Sequence, residues 1–146
     1  MKTKFFMCAT CGNVVVKMID SGMDLVCCSQ QMKELVPCTT DVAKEKHLPV
    51  VEINEEDCTI KVTVGSEPHP MESGHHIVFI YLETENGGQI QYLNGCDKAE
   101  AVFCGCTDKP VAVYEYCNIH GLWKTTDFKV KKHHGHCCHS KRNSCR

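Results

Sequence analysis

Four cysteines, Cys8, Cys11, Cys27 and Cys28, fall within the segments CATCG and LVCCSQ near the start of the chain. Thiolates so close together suit a tetrahedral metal, and both zinc and iron accept four sulfurs. A C-x-x-C knuckle lets backbone amides donate to the sulfurs, and Gly12 supplies the freedom its turn needs. The adjacent pair Cys27-Cys28 stands where a second knuckle would be more usual, which predicts a less regular tetrahedron. Residues 1–37 form too short a segment to bury a sufficient core, so a metal would act as its staple. On spacing alone zinc and iron stand level. A redox-active C-x-x-C is the weaker alternative, because two further cysteines lie nearby.

The whole chain carries 13 cysteines among 146 residues. The apolar run after the N-terminus is only Phe5-Phe6-Met7, unlike a signal peptide, and no run approaches the roughly 20 apolar residues of a membrane span. A cytoplasmic location is therefore expected. Disulfides are rare in that compartment, so metal binding is the better explanation of the cysteines, and the odd count forbids complete internal pairing. A net charge of −2 offers no field for nucleic acid or a membrane surface.

Composition divides the chain into residues 1–37, the β-rich residues 38–128 and a basic His/Cys-rich tail, 129–146. The middle region alternates in CTIKVTVG, where Ile60, Val62 and Val64 share one face. HIVFIYLE, GQIQYLN and PVAVYEYC give three more strands, and GSEPHP, ENGG and CTDKP supply turns between them. Short strands at this spacing predict an antiparallel sandwich or barrel. TTDVAKEK is the one helical candidate.

A second constellation gathers around YCNIHGLWK, residues 116–124, where Cys117 and His120 stand three apart. His47, His69, His75 and His76 each lie beside Pro or Gly, at turns or strand edges. Loops at one end of a sandwich can bring such residues together. Any one of these histidines alone is better read as bland. As a set, imidazoles and one thiolate could bind a single metal with one position left open, which implies chemistry on a small molecule. A Cys–His nucleophilic pair is the rival, but neither an oxyanion feature nor an orienting acid is evident.

CATCG…CC, EKHLPV, PHPMESGHH and YEYCNIHGLWK, in this order and near this spacing, resemble the desulfoferrodoxins, the two-iron superoxide reductases. The resemblance runs from residue 1 to about residue 128. It implies a mainly β protein: a small desulforedoxin-like metal domain, residues 1–37, followed by an immunoglobulin-like antiparallel β-sandwich, residues 38–128. It implies two irons per chain. One is held by Cys8, Cys11, Cys27 and Cys28. The other, ferrous and catalytic, is held by His47, His69, His75 and His120 with Cys117 as its axial thiolate. The family's third histidine falls six residues after the second, which selects His75 and leaves His76 as a non-ligand. Glu45 matches the residue that can occupy the sixth iron position in the oxidised enzyme. Lys46 matches the residue that attracts superoxide and helps protonate the product. The implied reaction is one-electron reduction of superoxide to hydrogen peroxide, using rubredoxin or a similar small redox protein as donor. A homodimer is implied as well.

Other residues match no ligand of that family. Cys38, Cys58, Cys96, Cys104 and Cys106 are expected to be mostly lone buried thiols. His133, His134, His136, Cys137, Cys138, His139 and Cys145 give the tail the composition of a metal-chelating tract, with disorder its expected state. Trp123 is assigned to packing, over the core in preference to shielding the site. Two other classes of function compete: an electron-transfer or metal-storage protein without turnover, and a zinc-stapled binding module. The charged pair in EKH favours the enzyme, since a pure electron carrier has no need of it.

Overall fold

The protein is described by a computed structural model over residues 3–39, 44–105 and 108–131. The chain divides into two compact units, Met1–Pro37 and Cys38–Arg146.

In the first unit, β1 (Phe5–Met7) is the centre of a three-stranded sheet, flanked by β2 (Val14–Val16) and, further along the chain, β5 (Lys33–Glu34). Between them β3 (Val26–Cys27) and β4 (Gln30–Gln31) form a separate ribbon. Its two-residue turn, Cys28-Ser29, has φ of 50° and 58°. Positive φ at both central residues is what matches a tight hairpin to the strand twist, although non-glycine residues seldom adopt it. The adjacent cysteines thus differ in role: Cys27 ends a strand and Cys28 occupies the turn. Among the described residues of this unit, Phe5, Cys8 and Met32 are the buried apolar side chains. So small a core offers little support to the fold by itself.

In the second unit, α1 (Lys44–His47) leads into β6 (Pro49–Asn54). Then come β7 (Thr59–Val64), β8 (Ile77–Thr84), β9 (Gly88–Tyr92), β10 (Glu100–Cys104), β11 (Pro110–Cys117), β12 (Gly121–Thr125) and β13 (Phe128–Lys131). Two four-stranded sheets result, in the orders β10-β7-β6-β13 and β12-β11-β8-β9. Neighbouring strands are antiparallel except β13, which runs parallel to β6. The protein is therefore mainly β: a small metal-ligand domain followed by an immunoglobulin-like sandwich. Ile60, Val62 and Val64 form the inward row of β7, and they pack with Val51, Ile77, Ile80, Leu82, Val113 and Cys117 in one core. The period-two alternation of a half-buried strand produces that row.

Several features depart from the sequence expectations. The strand β13 carries the sandwich on through Lys129, Val130 and Lys131, pinned by Lys131 Nζ on Glu52 Oε2 at 2.8 Å. Composition placed those basic residues in the tail, whereas partnership with β6 keeps them in the sheet. The rest of the tail, with its histidines and cysteines, lies outside the described residues, as does Cys106. Of the helical candidate TTDVAKEK, Lys44–Lys46 are in α1, and residues 40–43 lie outside the described residues. Nor are the extra thiols buried: Cys96 is exposed, Cys38 and Cys104 are half-buried, and Cys58 is disulfide-bonded. They sit on loops and strand ends, where no core surrounds them. Among the described residues, no helix is long and apolar enough to cross a membrane.

Candidate metal centres

Cys8, Cys11, Cys27 and Cys28 offer sulfurs that all lie within 4.8 Å of one another. The knuckle forms as its sequence predicts. Gly12 adopts φ +75° and its N–H donates to the Cys8 carbonyl at 2.9 Å. Backbone N–H groups of Cys11 and Thr10 lower the Cys8 thiol to about 6. Hydrogen bonding to Cys11, then Cys27 and Cys8, pushes Cys28 up to about 12, and Cys27 is raised, chiefly by Cys11. Four sulfurs this close cannot all ionise unless a cation compensates them. The donor set is soft and closed, and it fits a tetrahedral zinc or iron.

The second cluster is built from loops at one end of the sandwich. His47 closes α1, His69 and His75 lie between β7 and β8, Cys117 ends β11, and His120 lies in the β11–β12 turn. The ligand atoms of these five residues lie within 4.8 Å of one another. The rings form a quadrilateral. His47–His69, His69–His75, His75–His120 and His120–His47 centroids are 4.7, 4.7, 4.9 and 4.6 Å apart, against 6.4 Å between His47 and His75. His47 Nε2 and His120 Nδ1 lie 3.0 Å apart, and Cys117 Sγ is 3.5 Å from the same His120 nitrogen.

The protonation of these groups suits a cation held among them. The Pro70 carbonyl can only accept, so at 2.6 Å it takes the Nδ1 proton of His69 and leaves Nε2 bare. The Nε2 atoms of His69 and His75 are both buried with no hydrogen-bond partner. Burial lowers His69 to about 4, and the other imidazoles add to that, against the Pro70 bond. His75 is lowered too, first by burial and then by His120, with Lys46 a smaller contributor. Burial raises the Cys117 thiol, although the amides of His120 and Ile119 oppose it. Buried imidazoles held neutral, with lone pairs converging on a thiol, fit a divalent transition metal.

Trp123 is buried as expected, and it also takes the role ranked second for it by reaching this site. It is 2% exposed and stacks on His47 at 4.9 Å with 13° between planes. His76 stays outside the ligand group, with its Nδ1 donating to the Glu72 carbonyl at 3.1 Å. Glu45 and Lys46 are exposed on α1, immediately before His47.

Sequence reasoning passed over three residues beside the site. Glu115 is fully buried on the strand that ends at Cys117, both carboxylate oxygens lack a hydrogen-bond partner, and desolvation raises it well above the usual range. Asn118 and Gly65 act on the backbone of the loops that carry the ligands. The Glu45 carbonyl would bond the amide four residues on in a longer helix, but that residue is Pro49, which has none. The Glu67 N–H and the Ser66 hydroxyl take its place, at 3.1 and 3.2 Å. Gly65 permits this hook: it has φ +81°, and a Cβ there would lie 2.7 and 2.8 Å from the Lys46 and Glu45 carbonyl oxygens. Gly65→Ala is therefore expected to destabilise the protein by more than about 1 kcal/mol. A lower urea midpoint at unchanged slope would register it; an unchanged midpoint would mean the hook is slack.

Fold and clusters define the class: a two-domain β protein with a four-thiolate and a four-imidazole, one-thiolate metal-ligand set. A family model for desulfoferrodoxin matches residues 39–126. The chain is 46% identical over 121 residues to the desulfoferrodoxin of Nitratidesulfovibrio vulgaris, covering 83% of this chain and 94% of that one. It is 41% identical over 96 residues to the superoxide reductase of Pyrococcus horikoshii, covering 55% of this chain and 84% of that one. The crystal structure of the superoxide reductase from Treponema pallidum superposes with a TM-score of 0.70 at 32% identity, covering 85% of this chain and 97% of that one. The chain belongs to the desulfoferrodoxin family.

Proposed function

We propose that this protein is a superoxide reductase. It would convert one superoxide, one electron and two protons to hydrogen peroxide without forming dioxygen. The observation that carries the proposal is the cluster of His47, His69, His75, His120 and Cys117, with two buried imidazole nitrogens left for a metal. These five residues would hold a ferrous iron, and Cys8, Cys11, Cys27 and Cys28 a second iron. Bound there, ferrous iron supplies the electron and an open position for a small anion.

The chain's own groups account for attraction, protonation and exclusion of water. Lys46 sets a positive charge at the mouth, where its effect is already felt at His75. Such a charge attracts an anion even though the whole chain is slightly acidic. Its Nζ can also donate a proton to the departing peroxide. Glu45, on the same turn, is the candidate to cap the open position after oxidation. Cys117 would hold the iron through a thiolate, a soft donor that would enrich the metal in electron density. Trp123 covers His47 and keeps water from that side of the ring.

Electrons would come from rubredoxin or a similar small redox protein. A cytoplasmic location is part of the proposal; the free thiols of both clusters suit it, whereas the disulfide at Cys58 does not. A homodimer is part of it too, supported by exposed apolar side chains on the first unit, among them Met18, Ile19, Met23 and Val36.

Mixing the reduced, iron-loaded protein with superoxide and measuring both products tests the reaction. Hydrogen peroxide without dioxygen is expected; dioxygen in proportion to superoxide consumed would indicate dismutation instead. Lys46→Met is expected to slow the second-order step about tenfold at low salt, with a smaller deficit at high salt. An unchanged rate constant at low salt would remove Lys46 from substrate attraction.

A further inference from the structure

We propose that Asn118 is a positioning residue that ties the turn carrying Cys117 and His120 to the loop carrying His75. The inference rests on the five-ligand metal centre, but not on the identity of the substrate.

The tie consists of three hydrogen bonds. Asn118 Oδ1 accepts the His76 N–H at 2.9 Å. Its Nδ2 donates to the Gly74 carbonyl at 3.0 Å. Its backbone N–H donates to the His76 carbonyl at 3.1 Å. The partners fix the amide's orientation, because a backbone N–H can only donate and a carbonyl can only accept. The two side-chain bonds therefore grip the residues immediately before and after His75. An aspartate lacks the donor for Gly74, and an aliphatic side chain lacks both functions.

His75 needs such a grip. It lies in a narrow loop closed by its own backbone exchange with Glu72, at 3.0 and 3.1 Å. Its ring meets the cluster through His69 and His120, on the diagonal farthest from His47. Its Nε2 is buried with no partner. The far side of the loop is crowded, since a Cβ on Gly95 would stand 3.0 Å from the Glu72 carbonyl. With Asn118 on one flank and Gly95 on the other, the loop holds one arrangement. Partners behind a metal ligand fix its orientation, and their loss typically costs about 10–100-fold in metal affinity.

The test uses the full chain loaded with ferrous iron and follows iron transfer to a competing chelator. The second-site phase is the one absent from Cys117→Ser. Asn118→Ala and the near-isosteric Asn118→Leu are expected to weaken the second site about 10–100-fold, leaving the four-thiolate phase unchanged. Asn118 is exposed, and the leucine variant keeps its bulk should alanine disturb folding. In a His75→Ala background either substitution should cost less than about twofold, because coupling vanishes once one partner is gone. Wild-type affinity in both Asn118 variants overturns the tie, as does an undiminished loss in the His75→Ala background. A wild-type chain that holds no second iron overturns the metal centre and the tie with it. The wild-type measurement alone separates that failure from the other two.

Discussion

Cys117→Ser is expected to remove the oxidised second centre's charge-transfer band and to slow superoxide consumption more than about 100-fold, while the four-thiolate absorption stays. Loss of a mere partner behind a ligand typically costs about 10–100-fold, and here the ligand itself is lost. Serine preserves the shape of the side chain but not the soft, electron-rich sulfur. The fold should survive, although Cys117 is fully buried in the core beside Ile77 and Val113. A hydroxyl there costs about 1–3 kcal/mol if it finds no partner. Stopped-flow mixing with superoxide, next to a visible spectrum of the oxidised variant, gives both numbers. A retained second band would assign the thiolate elsewhere.

Trp123→Ala is expected to be the most destabilising single substitution. Truncating a buried tryptophan costs about 3–5 kcal/mol, because the cavity left behind collapses only partly. At about 4–8 °C per kcal/mol for a domain of this size, the sandwich should melt at least about 12 °C lower. The backbone of Trp123 also bridges Cys38, at the start of the unit. Removing the indole strips His47 of its stacking partner, so weaker metal retention should accompany the lower melting point. Calorimetry with metal analysis measures both effects. A small shift in melting with full metal content would show that the ring only covers the surface of the site.

Much of the site was legible from the sequence because its ligands sit on chemically distinctive residues next to turns. CATCG, EKH, PHPMESGHH and CNIH each place a soft or imidazole donor beside Gly, Pro or a loop. The structure brings all nine predicted ligands into two groups. The strands read from CTIKVTVG, HIVFIYLE, GQIQYLN and PVAVYEYC appear as β7, β8, β9 and β11. Other features left no local mark. β13, FKVK, alternates apolar and basic residues over only four positions next to the basic tail, and its parallel partner β6 reveals it as a strand. β10 and β12 are short segments that the alternation test passes over. Glu115 looks like an ordinary strand carboxylate, and only the packing shows that it is buried without a partner. Asn118 and Gly65 bond or abut distant backbone, so nothing beside them in sequence announces their roles. Trp123 was legible as buried, but not as the platform beneath His47, since that contact joins α1 to β12.

Metal analysis with a visible spectrum is the most direct check on two iron centres built from these nine ligands. Protein purified without oxygen should contain two irons per chain. It should show thiolate-to-iron absorption from the four-cysteine centre, and mild oxidation should add a second charge-transfer band. A colourless chain that carries only zinc, and whose spectrum is unchanged after reconstitution with iron, would contradict both assignments.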